Sequence, residues 1–265
     1  MILGALSAYA ASDPVSIATH RDKEQYTGNM KAVDKAIIRT LAATGTVVTL
    51  VYCHKHGREY TPADPNGSYI ENILLMMGLV EANTKRPNPQ VVRTLGHLWI
   101  LFADHEMTNS TAAFLHAAST LTDPISCAIA SVISGFGPLH GGAIDIAYKS
   151  FERIGNPKNV PKLIADVKAK KLRLFGYGHR IYKTVDPRSR HIRTMIEELS
   201  TEFKDNSLLA VALEIDRIAS KDSYFTSRNL KANADLYGSF IYTALYAPLP
   251  YVPLKLCVVG TSKLT

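Results

Sequence analysis

The chain has 265 residues, of which 46% are hydrophobic, and its 30 basic and 23 acidic residues give a formal net charge of +7. This apolar content excludes a disordered chain and is enough for one large domain or two modest ones. The positive balance favours anionic ligands, although the basic residues are spread out apart from Lys168–Arg173. Because no basic motif with interleaved aromatic residues accompanies that run, we expect no nucleic-acid partner.

The cysteines and the N-terminal residues predict an intracellular protein. Cys53, Cys127 and Cys257 are far apart and form no C-x-x-C pair, which argues against a disulfide framework and against a zinc site. No basic stretch that would open a secretory signal occurs in the first ten residues. The apolar stretch Thr40–Cys53 is too short to span a bilayer, so no membrane partner is expected. Cytoplasmic, mitochondrial and peroxisomal locations all stay open.

Helical signals dominate the first half of the chain. Met1–Ala10 has the composition of an apolar, buried helix. Ser68–Glu71 is a capping-box pattern ahead of a second apolar run, since the serine accepts from a backbone N–H and the glutamate reaches back. Asp123–Pro124 combines an N-cap residue with proline at the first helical position. We therefore expect a buried helix over Ile125–Ile133.

The second half continues in the same way and contains no long strand-like alternation, so the predicted fold class is all-α. The predicted helices are Ala143–Arg153, Val160–Lys171, Ser189–Glu202, Ser207–Ile218 and Asn233–Leu245. The last residues, 246–265, form an atypical tail that combines three prolines with an apolar stretch. This tail has the pattern of neither a helix nor a solvated terminus.

The segment Gly176–Arg188 carries the strongest chemical signal. It places His179, Lys183 and Arg188 on one stretch bounded by glycine and proline. A guanidinium binds a carboxylate through two parallel hydrogen bonds, and the alternative for Arg188 is an ordinary surface arginine. The glycines do not complete a G-x-G-x-x-G dinucleotide motif, and no strand signal precedes them.

Two further histidines are candidates. His140 follows Gly-Pro, precedes Gly-Gly and stands just before a predicted helix, whose N-terminus disfavours imidazolium. A neutral imidazole there can donate to an oxygen on which negative charge develops; the alternative is a plain turn histidine. His105 and Asn109 are four apart and would share a helical face, which a helix–helix polar contact also explains. The histidine spacing does not match a metal motif, so no metal is expected.

Taken together, these blocks resemble the citrate synthase family. Four blocks agree with that family in order and spacing. The first is Ala103–Glu106 together with Asn109 and Thr111, and the others are Gly137–Ala143, Gly176–Arg188 and Asn233–Tyr237. The resemblance implies a two-domain helical fold, with a large domain over 1–141 and a small domain over 142–245. It also implies a homodimer. Compared with the family pattern, the chain is shortened at both ends, the large domain is incomplete, and no arginine follows Tyr242.

The resemblance also implies a Claisen-type condensation of an acyl-CoA with oxaloacetate, using neither metal nor cofactor. By this resemblance Asp235 removes a proton from the carbon next to the thioester. His140 donates to the thioester oxygen, and His179 polarises the oxaloacetate ketone. A weakly acidic carbon needs such a base and a preorganised oxyanion donor acting together.

The remaining family positions are implied to bind and to orient. His105 and Arg188 would hold the carboxylates of oxaloacetate, and Lys183 would face a CoA phosphate. Asn109 would belong to the substrate-binding group and, with Thr111, would orient the histidines. Citrate, 2-methylcitrate and longer alkylcitrates of secondary metabolism are all open as products. The alternative function is a non-catalytic, truncated protein of this type that acts only as a partner or remnant.

Overall fold

The computed structural model describes residues 1–22, 25–103, 107–179, 182, 184–199 and 206–246, and for 243–246 the backbone alone. The predicted tail from residue 247 onward, with Cys257, lies outside the described residues. Contacts divide the chain into two compact units, of which the first contains Met1–Phe136 and the second begins at Gly137. The assignment of 1–141 and 142–245 to the large and small domains of a family stays a prediction.

The regular secondary structure described in the first unit is helical. Its helices are α1 (Ile2–Ser12), α2 (Pro14–Thr19), α3 (Met30–His56), α4 (Tyr69–Met76), α5 (Pro89–Ala103), α6 (Asn109–Ala118) and α7 (Pro124–Gly135). Helix α3 packs against α1, α4 and α7, and α6 with α7 forms a helical hairpin joined by residues 119–123. Ile2 and Leu6 are the residues that α1 buries.

Helix α3 is longer than the apolar stretch that the sequence singled out. It has 27 residues and a mean hydropathy of 1.6 over its most apolar window, and by length and composition it passes as a candidate membrane span. However, 56% of that window is buried inside the protein. Packing against neighbouring helices therefore accounts for part of its apolar character, while Ile38 and Leu50 are exposed. The absence of a membrane partner stays a prediction.

The helix starts follow the capping chemistry read from the sequence. Ser68 Oγ accepts from the Glu71 N–H at 3.3 Å, while the Glu71 carboxylate accepts from the Ser68 N–H at 2.8 Å. The Asp123 carboxylate accepts from the N–H groups of Ile125 and Ser126, both at 3.0 Å. Both predicted N-termini are thus confirmed, because each side chain satisfies backbone donors that have no partner within the helix.

The second unit is also helical. Its helices are α8 (Gly142–Ile154), α9 (Val160–Lys168), α10 (Pro187–Glu198), α11 (Ser207–Ala219), α12 (Ser223–Thr226) and α13 (Ala234–Tyr246), with a 3₁₀ turn at Pro157–Asn159. Helix α13 packs against α8, α10 and α11. Phe240 on α13 lies 5.6 Å from the Phe151 ring of α8, in a stacked arrangement, and is fully buried.

Within the described residues, strand-like pairing is limited to one bridge, between Tyr177 and Ala232. The all-α prediction is confirmed. That bridge matters because it joins the loop before α10, which carries His179, to the loop that leads into α13, whose first turn carries Asp235.

Candidate active site

Backbone pairing holds the loop before α10 against the loop before α13. The Gly178 N–H donates to the Lys231 carbonyl at 2.6 Å, and the Asn233 N–H donates to the Gly176 carbonyl at 3.0 Å. The Asn233 side chain adds a third bond, from Nδ2 to the Gly178 carbonyl at 2.8 Å. His179 follows directly in the chain, so its backbone position is set by these contacts.

The loop before α10 requires glycine on both sides of Tyr177. Gly176 and Gly178 have φ angles of +81° and +86°, which side-chain-bearing residues rarely adopt. A Cβ on Gly176 would lie 2.9 Å from the Leu236 Cα, and one on Gly178 would lie 2.9 Å from a Leu230 methyl carbon. The loop therefore approaches α13 closely at Gly176, and the segment before α13 closely at Gly178, because these two residues lack side chains.

The contacts of His179 lower its pKa and favour one tautomer of the neutral imidazole. Its Nδ1 accepts from the Tyr182 N–H at 3.3 Å, and the two rings lie 4.6 Å apart. Since Nδ1 accepts, the proton of the neutral ring is on Nε2. Burial and then the Arg188 cation lower the pKa of His179, and the carboxylates of Asp186 and Asp235 oppose them only in part. Above its lowered pKa, His179 is a hydrogen-bond donor through Nε2–H.

Arg188 is bound by a buried carboxylate that the sequence had not singled out. Its Nε donates to Asp186 Oδ1 at 3.0 Å and its Nη2 donates to Asp186 Oδ2 at 2.7 Å. Asp186 also accepts the Arg188 N–H at 3.0 Å, which caps α10, and the Ala234 N–H at 3.0 Å, at the start of α13. One carboxylate thus connects α10, the arginine and α13.

The charge state of this pair follows from its contacts. Asp186 is 1% exposed, and burial alone would raise the pKa of its carboxyl. The hydrogen bonds and the charge of Arg188, with the N–H of Ala234, outweigh burial and lower the pKa below its usual value. The Arg188 side chain is 11% exposed, so the guanidinium is an oriented group and not the ordinary surface arginine of the alternative interpretation. Its role toward a ligand carboxylate stays a prediction.

Asp235 stands in the first turn of α13. Its N–H donates to the Asn233 Oδ1 at 2.9 Å, so Asn233 caps α13 with its oxygen and holds the glycine loop with its nitrogen. The same amide therefore places both His179 and Asp235. The sequence block Asn233–Tyr237 pointed to this helix, but the capping role of Asn233 and the buried role of Asp186 were missed. The sequence did contain a signal for the cap, because asparagine is a preferred N-cap residue and Asn233 stands two positions before Asp235.

His140 lies in the turn that leads into α8. Its N–H donates to the Gly137 carbonyl at 3.0 Å, and its own carbonyl accepts from the Ala143 N–H at 3.0 Å. His140 therefore stands two residues before α8, at its N-terminal end, where the sequence predicted it. Its convergence with Asp235 on one ligand stays a prediction.

Of the predicted residues of the first unit, Asn109 and Thr111 lie within the described residues. His105 lies outside the described residues, as does Lys183 of the second unit. Helix α6 begins at Asn109, and Thr108 caps it by accepting the Thr111 N–H at 3.3 Å. The predicted helical face shared by His105 and Asn109 stays a prediction, since His105 lies outside the described residues. The Thr111 hydroxyl lies 2.9 Å from that of Thr108, so its contact is with the cap.

Among the residues that the structure describes, no three His, Cys, Asp or Glu side chains form a group that could hold a metal ion. Chemistry without metal or cofactor stays a prediction. What the described geometry offers instead is a neutral imidazole donor, an oriented cation and a first-turn carboxylate in one hydrogen-bonded unit.

Comparison with known proteins places these features in a family. The family model described as citrate synthase, C-terminal domain, matches residues 2–259. The citrate synthase-like protein oryE of Aspergillus oryzae is 50% identical over 257 residues, which cover 97% of this chain and 58% of that protein. The alkylcitrate synthase phiJ of a fungal species is 41% identical over 244 residues, which cover 92% of this chain and 53% of that protein.

Solved structures with a similar fold belong to citrate synthases as well. The citrate synthase of Thermoplasma acidophilum, solved in a ternary complex with carboxymethyl coenzyme A and oxaloacetate, matches with a TM-score of 0.83 at 26% identity. The match covers 99% of this chain and 65% of that chain. The chain thus spans somewhat more than half the length of the curated relatives that it matches.

Proposed function

Since the chain belongs to the citrate synthase family, we propose that it is an acyltransferase that condenses an acyl-CoA with oxaloacetate. The products are citrate or an alkylcitrate and free CoA. The observation that carries the proposal is the hydrogen-bonded unit of His179, Arg188 and Asp235, which Asn233 and Asp186 hold together. Its three groups differ in charge, and each suits one part of a keto-diacid reaction.

In the proposed reaction, the Asp235 carboxylate takes a proton from the carbon next to the thioester. The resulting enolate oxygen accepts a hydrogen bond from His140. The new carbon–carbon bond forms between that carbon and the ketone carbon of oxaloacetate as the C=O π bond breaks. The alkoxide so formed accepts from His179 Nε2–H and becomes the product hydroxyl by taking up one proton, which balances the proton that Asp235 removed. Water then cleaves the thioester and releases CoA as the thiol. The hydrogen-bond donors act where negative charge develops, which is the arrangement that lowers such barriers most.

Binding of the diacid is assigned to Arg188, with His105 and Asn109 from the first unit and Thr111 orienting the histidines. The Asp186 carboxylate already fixes the plane of the guanidinium, so little side-chain entropy is lost when a second carboxylate binds. Lys183 is assigned to a CoA phosphate. No metal or cofactor takes part in this proposal.

The acyl group is the open part of the proposal. Relatives bear the names citrate synthase-like protein and alkylcitrate synthase, which favours an acyl group longer than acetyl and a place in secondary metabolism over the tricarboxylic acid cycle. The test is thiol release by the purified chain with oxaloacetate and acetyl-, propionyl- or hexanoyl-CoA. Release with one of them is expected, and release with none contradicts the proposal.

A second candidate function is that of a non-catalytic partner. It is the alternative that the sequence left open. The two candidates differ in the same assay, because a partner protein releases no thiol by itself but changes the rate of a full-length relative added to it.

We propose that the chain forms a homodimer through the α6–α7 hairpin. Helix α6 is rich in apolar residues, but among the described residues its one buried side chain is the polar Ser110, so its apolar side chains are at least partly exposed. Large apolar side chains on and after the hairpin are exposed, including Leu115 at 50%, Ile133 at 55% and Phe136 at 46%. Such a patch is typical of an interaction surface. Sedimentation equilibrium should give a dimer, and Leu115→Asp should give a monomer; a monomeric unaltered protein contradicts this.

We also propose an intracellular location. Cys53 and Cys127, the cysteines that the structure describes, are buried and form no disulfide. Unpaired thiols are typical of a reducing compartment. Imaging of a tagged protein against cytosolic, mitochondrial and peroxisomal markers tests the location, and secretion into the medium contradicts it.

A further inference from the structure

A carboxylate on α11 binds two tyrosines from two different segments. Asp216 Oδ1 accepts from the Tyr177 hydroxyl at 2.8 Å, and Asp216 Oδ2 accepts from the Tyr237 hydroxyl at 2.7 Å. Arg193 of α10 adds a third donor, with Nη1 at 3.2 Å from Oδ2. Asp216 and Arg193 lie outside the sequence blocks on which the family resemblance was based, whereas the two tyrosines lie within them.

Both phenols are fixed donors. Tyr237 is fully buried and Tyr177 is 8% exposed. Burial, followed by the charge of Asp216, raises the pKa of each tyrosine well above its usual value. The hydroxyls therefore stay protonated, and each donates its one hydrogen to the carboxylate. Hydrogen bonds to a charged acceptor are stronger than those between neutral groups, so this link is stiffer than a contact between two neutral side chains.

The position of the two tyrosines in the chain gives the cluster its importance. Tyr177 lies between the two glycines of the loop and precedes His179 by two residues. Tyr237 follows Asp235 by two residues on α13. Asp216 itself belongs to neither segment. A single carboxylate thus ties the segment that carries the ketone-polarising histidine to the helix that carries the base.

We infer that Asp216 is a positioning residue, which sets the spacing between His179 and Asp235 by binding Tyr177 and Tyr237 on one carboxylate. The inference rests on the proposed function for its catalytic consequence. Its structural part, the link between loop and helix, does not. Carbon–carbon bond formation requires the ketone and the enolate to meet at close range, and a misplacement of about 1 Å costs on the order of 100-fold in rate.

The test uses Asp216→Asn and the two variants Tyr177→Phe and Tyr237→Phe, alone and combined. Glu214→Gln is the matched control, because Glu214 is on the same helix but pairs only with Arg217 in an exposed ion pair. The tyrosine variants keep the partly buried Asp216 carboxylate paired with Arg193, so they remain informative if Asp216→Asn does not fold.

The first readout is kinetic. We expect Asp216→Asn to lower kcat by about tenfold or more, with the KM for oxaloacetate changed less than about threefold. Because the link needs both phenols, the double tyrosine variant should lose about as much as either single variant. Unchanged kcat in Asp216→Asn, or losses in the single variants that multiply in the double variant, overturns the inference.

The second readout needs no substrate. The N–H groups of Gly178 and Asn233 join the loop to the segment that leads into α13. Their amide hydrogen exchange should become about tenfold faster in the double tyrosine variant. It should stay unchanged in Glu214→Gln. Unchanged exchange at both amides overturns the link. Absence of thiol release in the unaltered protein would contradict the proposed function alone, since the exchange result is read independently of it.

Discussion

Replacing Asp186 by asparagine removes a charge on which four hydrogen bonds converge. The carboxylate accepts the Nε, Nη2 and backbone N–H of Arg188 and the backbone N–H of Ala234. An asparagine keeps one acceptor oxygen but turns the other position into an NH₂ donor. In one orientation that donor faces Arg188 Nε and the Arg188 N–H, and in the other it faces Arg188 Nη2 and the Ala234 N–H; none of these groups can accept.

The magnitude follows from burial. Asp186 and Arg188 have side chains that are 1% and 11% exposed, so solvent screens the pair poorly. Removing one partner of a buried pair leaves the other charge uncompensated, which costs about 3–5 kcal/mol. Because asparagine retains one acceptor, we expect a loss of about 3 kcal/mol in the free energy of unfolding. For a chain of this size this corresponds to a fall in Tm of roughly 6–12 °C.

Urea unfolding followed by circular dichroism measures the loss, with Asp166→Asn as the control. Asp166 also forms ion pairs, but its partners Lys162 and Lys171 are 86% and 73% exposed, so we expect a loss below about 1 kcal/mol. A loss below about 1 kcal/mol in Asp186→Asn would refute the argument that this pair is buried and structurally required.

The pH dependence gives a second check on the same pair. The pKa of Asp186 is lower in the folded state than in the unfolded chain. Its stabilising contribution is therefore present above the unfolded pKa, near 3.9, and is lost as the pH falls through the folded pKa. The stability difference between the unaltered protein and Asp186→Asn should be constant around neutrality and shrink below about pH 4. A difference that grows on acidification contradicts the assigned direction.

Three further predictions concern the loop and the histidines. Gly176→Ala should destabilise the protein by about 2 kcal/mol more than Gly28→Ala in urea unfolding, because both have positive φ but only the former places a Cβ 2.9 Å from backbone; equal losses contradict this. The NMR titration midpoint of His179 should lie below 6.5 and rise in Arg188→Met, since burial and then that cation lower the pKa; a midpoint at or above 6.5 refutes it. His140→Ala should slow exchange of the acyl-carbon hydrogen by about 10²–10³-fold in deuterium oxide, as loss of an oxyanion donor does, and an unchanged rate returns His140 to a turn residue.

Local chemistry made much of the fold predictable. The capping box at Ser68 and the Asp-Pro start at Asp123 depend on residues a few positions apart, and both occur as expected. Helix α11 was predicted over Ser207–Ile218 and is observed over Ser207–Ala219. In such cases the side chain and the backbone group that it satisfies are neighbours in sequence, so no knowledge of the tertiary fold is needed.

Interactions between distant segments were not predictable in this way. Asp186 meets the N–H of Ala234, 48 residues further along the chain, and Asp216 meets the hydroxyl of Tyr177, 39 residues before it. A single sequence does not indicate which of many carboxylates is buried. One miss was avoidable: helix α10 was predicted to begin at Ser189, although Asp186 and Pro187 repeat the start signal used for α7.

The central claim is that Asp235 acts as the base on the acyl group, with neutral histidines as hydrogen-bond donors. The direct test is exchange of the acyl-carbon hydrogen in deuterium oxide, measured by mass spectrometry in the unaltered protein and in Asp235→Asn. CoA binding by both proteins is measured in parallel. We predict that exchange is abolished in Asp235→Asn while CoA binding is largely kept. Exchange that continues in Asp235→Asn at the rate of the unaltered protein would contradict the account.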